Sequence, residues 1–226
     1  FVDPLAGEIA WIVATAFLFK ITFAVFSFRH HCDPIADDLE AGRTEDAADK
    51  VQMIVSRNTK GMDADHIASS CCETISENLV DSVYSPAFFF GLFGLPGAVM
   101  FRCANLMDAM WGYLNEKYAR IGYFPAKFDD VLGFITARIS PYFIALAAML
   151  KGLDWRAAIS TAKEQHGLTP SPNSGYSMTA VAGAMGISMV KDGVYVMGYG
   201  PMPTPSDVRR CSRFVIGLLK RLATNI

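Results

Sequence analysis

Three acids, Glu73, Glu77 and Asp81, recur every four residues just ahead of a long run that carries no charge. On an α-helix this spacing sets them along one face. Like charges placed so closely repel unless something cationic sits among them. A second set follows, with Arg102, Asn105 and Asp108 at i, i+3 and i+6, and Asn78 lies slightly round the helix from the first set. Asp129-Asp130, ahead of Arg138, makes a third polar point, and the neutral loop Ser171-Pro172-Asn173 with Gly175 makes a fourth. Carboxylates and amides in this grouping suit Mg²⁺, a hard ion that takes oxygen ligands and phosphate. Arg102, Arg138 and Arg57 suit phosphate oxygens. Each charge taken singly fits a solvated helix face equally well. All four clusters, however, flank apolar segments, and spacing alone reaches a polar site at a membrane surface for a phosphate-bearing ligand.

The elements that must hold these residues are helical. Residues Ile9 to Phe28 form a first 20-residue membrane candidate with one charge, Lys20; about 20 apolar residues span the hydrocarbon core. Lys20 can snorkel, pair with an acid or mark a polar cavity. Residues 33–60 turn acidic and amphipathic, which predicts two short water-exposed helices, starting at Asp33-Pro34 and Thr44, with Gly42 between them. Residues 63–81 predict a helix capped by Asp63. Ser82 to Phe101 then runs 20 residues without a charge but contains Pro86, Gly91, Gly94, Pro96 and Gly97. That density predicts a broken or re-entrant segment, able to fold back and bring the polar stripes together.

Residues 102–120 predict a helix polar on one side, and 131–150 an apolar stretch interrupted by Arg138 and Pro141. A Pro/Gly/Ser loop then leads into a small-residue helix near Ala182, Gly183 and Gly186, suited to close packing. The chain closes with a basic helix over 206–224. Alternation of period two is nearly absent, so strands are not expected. The fold class expected is therefore all-α: a polytopic integral membrane protein, one domain over residues 1–226. The chain begins at Phe1 without a methionine, as expected of one lacking its own start.

Composition agrees. The 226 residues are 52% hydrophobic and 19% charged, with mean hydropathy +0.27; soluble domains carry about a quarter charged residues. A net charge of -2 gives no basic patch for nucleic acid. Five cysteines without CxxC spacing and four histidines in no ligand spacing argue for buried thiols rather than a zinc site.

The ordered motifs resemble the CobD/CbiB family of cobalamin-biosynthesis membrane proteins. Carrying the resemblance are Glu73, Glu77-Asn78-x-x-Asp81, Pro86, Gly94-Leu95-Pro96-Gly97, Asn105-x-x-Asp108, and Gly112-Tyr113 with Tyr118. Asp129-Asp130 through Arg138, and Ser171-Pro172-Asn173 with the AGAMG stretch, continue it. Arg57 and Thr59 are similar to a further family element, and the likeness runs from about Phe26 to the C-terminus. The chain departs from the family pattern at Asn58, Arg102, Ala109, Gly133 and Thr136. The resemblance implies a multi-pass protein of the cell (inner or plasma) membrane that acts as adenosylcobinamide-phosphate synthase. Such an enzyme joins the carboxyl of adenosylcobyric acid, a corrinoid, to the amine of aminopropanol phosphate or a related amino-alcohol phosphate, using ATP.

On this reading the catalytic candidates are Glu73, Glu77, Asp81, Asp108, Asp129 and Asp130. Asn78, Arg102, Asn105, Arg138, Ser171 and Asn173 would bind substrate, and Glu77, Asp81 and Asp108 would hold Mg²⁺. Asp129 or Asp130 would take the amine proton. Walker-type GxxxxGK[ST] is absent from the sequence, so ATP comes from the resemblance. Expected partners are the two substrates, the bilayer, and a second copy or other cobalamin-biosynthesis proteins. A small membrane transporter or sensor, with a permeation path between broken helices, is the rival class; a soluble all-helical protein is the third.

Overall fold

The computed structural model of the chain describes residues 4–23, 25–112 and 120–224. Helices dominate it: α1 (Pro4–Thr22), α2 (Val25–Glu40), α3 (Thr44–Gln52), α4 (Ala64–Leu79), α5 (Ser85–Trp111), α6 (Tyr123–Leu150), α7 (Trp155–Gln165), α8 (Ser174–Met185) and α9 (Pro205–Thr224). A π-helical turn, Val80–Tyr84, joins α4 to α5. Among the described residues, three stretches are long and apolar enough to cross a membrane: Leu5–Thr22, Ala64–Trp111 and Tyr123–Leu150. The fold is that of an all-α membrane protein. Packing divides it into two compact units. Unit 1 comprises residues 1–24 and 81–136, unit 2 residues 25–80 and 137–226.

In unit 1, α1 turns large apolar side chains outward along most of its length, with Trp11 70% and Phe17 63% exposed. A soluble fold would bury such a helix, whereas lipid accepts it. The first span ends earlier than expected, at Thr22 rather than Phe28. There the Thr22 hydroxyl donates to the Phe19 carbonyl (2.7 Å), and the Phe23 amide closes the last turn on Lys20. The polar residues from Arg29 onward belong instead to α2.

The break expected between residues 82 and 101 is a fold-back. Gly94 adopts φ 65°, ψ −156°, a conformation that side-chain-bearing residues scarcely reach. A Cβ on Gly97 would overlap the Phe89 carbonyl, although eight residues of straight helix span about 12 Å. Phe89 and Phe101 stack with centroids 5.3 Å apart, against about 18 Å of rise for twelve straight helical residues. The second arm of α5 therefore returns along the first. Pro141, by contrast, does not interrupt α6. Having no N–H, it cannot bond the Ala137 carbonyl, and the Ser140 hydroxyl donates to that oxygen instead (2.7 Å).

Unit 2 buries Ile35, Ala36 and Leu39 of α2, Ala47, Ala48 and Val51 of α3, and Ile67 and Ile75 of α4. The 33–60 segment is thus exposed on one side only. Pro34 lies inside α2 rather than at its start; the buried face of this helix offsets the hydrogen bond a proline loses. Asp63 caps α4 as expected, accepting from the His66 amide. Arg209 on α9 donates to Asp37 (2.5 Å) and Glu40 (2.8 Å) and so fastens α9 to α2. Helix α8 packs closely on α7, since a Cβ on Gly183 would overlap the Ala157 carbonyl. The expectation of no strands fails in one place: β1 (Met189–Lys191) and β2 (Tyr195–Met197) form an antiparallel hairpin, Met189 opposite Met197. Its signal was the Asp192-Gly193 turn, Gly193 having φ 69°. Strands of three residues are too short to display alternation.

Candidate functional site

The fold gathers the expected residues into separate polar groups. In unit 2, a cleft of about 250 Å³ is lined by Arg57, Glu73, Glu77, Ser171, Lys191 and Tyr195, among others. Its floor is set by Glu73, which is buried. Arg57 pairs with Glu73, the Ser69 hydroxyl donates to Oε1 (2.9 Å), and the Tyr195 hydroxyl donates to Oε2 (2.7 Å). Both carboxylate oxygens are thereby engaged, so Glu73 positions its neighbours. Ser69 also accepts from the Val190 amide (2.7 Å), which ties the hairpin to α4. Burial, then the Glu73 charge and the hydrogen bond to it, push the Tyr195 phenol well above the usual tyrosine range. At neutral pH this phenol is a fixed donor.

Arg57 reaches the cleft from a loop braced by one side chain. Gln52 Nε2 donates to the carbonyls of Val55 (3.2 Å) and Arg57 (3.0 Å), and its oxygen accepts from the Thr59 amide (3.1 Å). The buried Thr59 hydroxyl donates to the Ala48 carbonyl (2.8 Å). Glu77, one turn beyond Glu73, is half-buried and faces the cleft. Asn78, expected among the substrate donors, gives its amide to the Thr74 carbonyl (3.0 Å).

The loop before α8 serves two clefts of unit 2. Ser171 Oγ accepts from the amides of Asn173 (3.2 Å) and Ser174 (3.4 Å) and lines the first cleft. Asn173 turns the other way and accepts from Arg138 Nη1 (3.2 Å). Arg138 also lies over the Tyr176 ring, 5.0 Å from its centroid.

Unit 1 holds its own group, made by the fold-back. Arg102 Nη1 donates to Ser82 Oγ (3.0 Å) and to Asn105 Oδ1 (2.9 Å), with Asp81 near enough to act on its charge. Ser82 and Arg102 are 20 residues apart, about 30 Å along a straight helix. Ser85 donates to Thr136 (2.8 Å), which brings α6 alongside α5. Asp108 and Asp130 act on each other's charge, and Lys127 lies 3.3 Å from Asp130. Asp129 is half-buried on the same helix.

The acidic stripe read as one face is thus divided. Glu73 and Glu77 belong to the unit 2 cleft, while Asp81 enters the π-helical turn and sides with Arg102 in unit 1. That turn abandons the 3.6-residue period on which the stripe rested. Among the described residues, no three His, Cys, Asp or Glu side chains cluster to hold a metal, so Glu77, Asp81 and Asp108 make no ready cage. Mg²⁺ needs none, since it binds through one or two carboxylates plus waters and substrate phosphates. Tyr113 and Tyr118 lie outside the described residues. Sequence reasoning missed Ser69, Lys191 and Tyr195; the Asp-Gly turn was the only signal for the last two.

A family model described as CobD/Cbib protein matches residues 2–215. The chain is 46% identical over 196 residues to the probable cobalamin biosynthesis protein CobD of Methanothermobacter thermautotrophicus, covering 87% of this chain and 64% of that protein. It is 38% identical over 188 residues to the probable cobalamin biosynthesis protein CobD of Methanococcus aeolicus, covering 83% and 60%. With the cobalamin biosynthesis protein CobD of Chromobacterium violaceum it shares 36% identity over 213 residues, covering 90% and 66%. The chain spans about three-fifths of the length of the first of these relatives. No solved structure matches it.

Proposed function

The chain belongs to the CobD/CbiB family, and from that premise we propose that it serves cobalamin biosynthesis as an ATP-dependent amide ligase. The reaction joins the carboxylate of adenosylcobyric acid to the amine of aminopropanol phosphate or a related amino-alcohol phosphate. Transfer of the γ-phosphoryl of ATP to the carboxylate gives an acyl phosphate and ADP. The amine nitrogen then attacks the carbonyl carbon, phosphate leaves, and a base takes the amine proton. Positioning and charge neutralisation carry most of such catalysis.

The observation that carries this reading is the unit 2 cleft, where a carboxylate, Glu77, and an ammonium, Lys191, share one small polar space. At about 250 Å³ it is smaller than the roughly 300–1,000 Å³ of ordinary ligand pockets. It suits a short amino-alcohol phosphate, whose amine faces Glu77 and whose phosphate faces Lys191 and Ser171; a corrin ring would remain outside. Glu73, Arg57 and Tyr195 hold the walls. In unit 1, Arg102 and Asn105 serve nucleotide phosphate. Asp81, Asp108 and Asp130 are the carboxylates there suited to Mg²⁺, since acids that act on each other's charge favour a cation beside them. Bound Mg²⁺ would neutralise phosphate charge. Glu77, which faces the amine in the cleft, is the base. The protein works in the cell membrane, alone, as a homo-oligomer or with other enzymes of the pathway.

The fold-back at Gly94 also suits a small transporter, whose broken helices line a polar path. A coupled ADP-release assay on the detergent-purified chain, with Mg-ATP, adenosylcobyric acid and aminopropanol phosphate, separates the two. The ligase predicts corrinoid-dependent ADP release that falls by about 10²-fold or more in Glu77→Gln. Release that ignores the corrinoid, or is unchanged in the variant, would sink the assignment.

A further inference from the structure

The last turns of α6, which belong to unit 2, keep Tyr142, Leu146, Met149 and Leu150 exposed. Their spacing, i, i+4, i+7 and i+8, sets them along one helix face. That face belongs to Tyr123–Leu150, a stretch apolar enough to cross a membrane. It ends at Gly152, whose φ of 69° closes the helix. The residues around this turn reverse its character: Lys151, Trp155 and Arg156 are all exposed. The Arg156 guanidinium lies 5.2 Å from the centre of the Trp155 ring, so aromatic and cation are presented together. Helix α9 adds to the same end. Lys151 Nζ donates to the Arg213 carbonyl (3.3 Å), and Arg210 lines a cleft of about 500 Å³ with Gly152, Leu153 and Asp154. Arg210 and Arg213 are both exposed. Four cations thus gather where the apolar face ends. The acids in these segments are Asp154 and Asp207. Asp154 accepts from the amides of Arg156 (3.0 Å) and Ala157 (2.9 Å), and Asp207 accepts from the Thr204 amide (3.0 Å) with Arg210 3.7 Å away. The two acids are engaged at the starts of α7 and α9, and the cations outnumber them.

An apolar helix face, then a tryptophan, then a basic collar is the order in which a leaflet is met from its hydrocarbon to its headgroups to its charged surface. We propose that this end of unit 2 docks on an anionic lipid leaflet, with Trp155 at headgroup level and Lys151, Arg156, Arg210 and Arg213 against the charged surface. The collar is spread over the end of α6, the start of α7 and one side of α9, so it reads the net charge of the leaflet. Each Lys or Arg held near an anionic surface strengthens attachment about fivefold. The inference names no substrate and stands apart from the ligase reading.

The test places the whole chain in nanodiscs and reads the lipid around Trp155. Trp11→Phe with Trp111→Phe leaves Trp155 as the one tryptophan of the chain. Its quenching is measured in phosphatidylcholine discs that carry the same small fraction of either brominated phosphatidylcholine or brominated phosphatidylglycerol. Both lipids contain a phosphate, so a difference between them reports net charge. Brominated phosphatidylglycerol should be enriched beside Trp155 about fivefold or more. The enrichment should fall to near parity in Arg210→Gln with Arg213→Gln, and likewise at about 1 M salt, where the Debye length is about 3 Å. Both arginines are exposed, so their substitution leaves the fold in place. Lys60→Gln, which removes an exposed cation on the loop before α4, should leave the enrichment unchanged. Equal quenching by the two lipids, enrichment that survives the double variant, or equal loss in Lys60→Gln overturns the proposal. So does an absence of quenching by either lipid, which would mean that protein, a second copy included, covers this end.

Discussion

Replacing Arg57 by Met removes the cation that faces Glu73 while keeping a side chain of similar reach. The pair is largely shielded from water, with side-chain exposures of 17% for Arg57 and 4% for Glu73. Removing one member of a buried pair costs about 3–5 kcal/mol, because the other charge stays buried without it. Ser69 and Tyr195 continue to donate to Glu73, and Arg57 is not fully buried, so the lower end applies: about 3 kcal/mol. At about 2–4 °C per kcal/mol for a chain of this size, the melting temperature falls by about 6–12 °C. The assay is thermal unfolding in mild detergent, repeated for Glu73→Gln and for the double variant. Glutamine keeps hydrogen-bonding atoms beside Ser69 and Tyr195 without the charge that Arg57 balances. The double variant is therefore more stable than the sum of the singles predicts, by about 2 kcal/mol. A loss below about 1 kcal/mol in Arg57→Met, the range of exposed pairs, would refute the argument. So would a coupling within about 0.5 kcal/mol of zero.

Two further outcomes follow from the same fold. Gly94→Ala forces a side chain into φ 65°, ψ −156° and costs about 1–3 kcal/mol in detergent unfolding, whereas Gly91→Ala, with open space at its Cβ, leaves the midpoint unchanged. Equal effects at both positions would remove the fold-back argument. Hydrogen bonds from Lys50, then Arg43, hold the Asp38 carboxyl below its ordinary value. A depressed pKa gives stability that is present above the unfolded value, near 3.9, and lost as pH falls through the folded one. Asp38→Asn should therefore flatten the decline in stability below about pH 4, measured as unfolding midpoint against pH. An unchanged acid limb would show that Asp38 does not carry it.

Much of this protein was legible in its amino acids because the signals are local. Asp63 caps α4 because a side-chain oxygen there reaches an amide three residues on. The break at Gly94 was readable because glycines and prolines crowd a charge-free run, and helical backbone tolerates neither for long. The acidic and amide residues worth naming were readable from spacing. Which of them meet was not. Glu73 is neutralised by Arg57, 16 residues before it, and anchored by Tyr195, 122 residues after it. Asp81 leaves the Glu73–Glu77 face because a π-helical turn breaks the period that the stripe assumed. Pro141 sits harmlessly inside α6 because the adjacent Ser140 satisfies the carbonyl it frees. Sequence periodicity fixes what shares a helix face, since that depends on a few backbone angles. The pairing of charges from distant segments depends on how whole helices pack, and that was decided only by the tertiary structure.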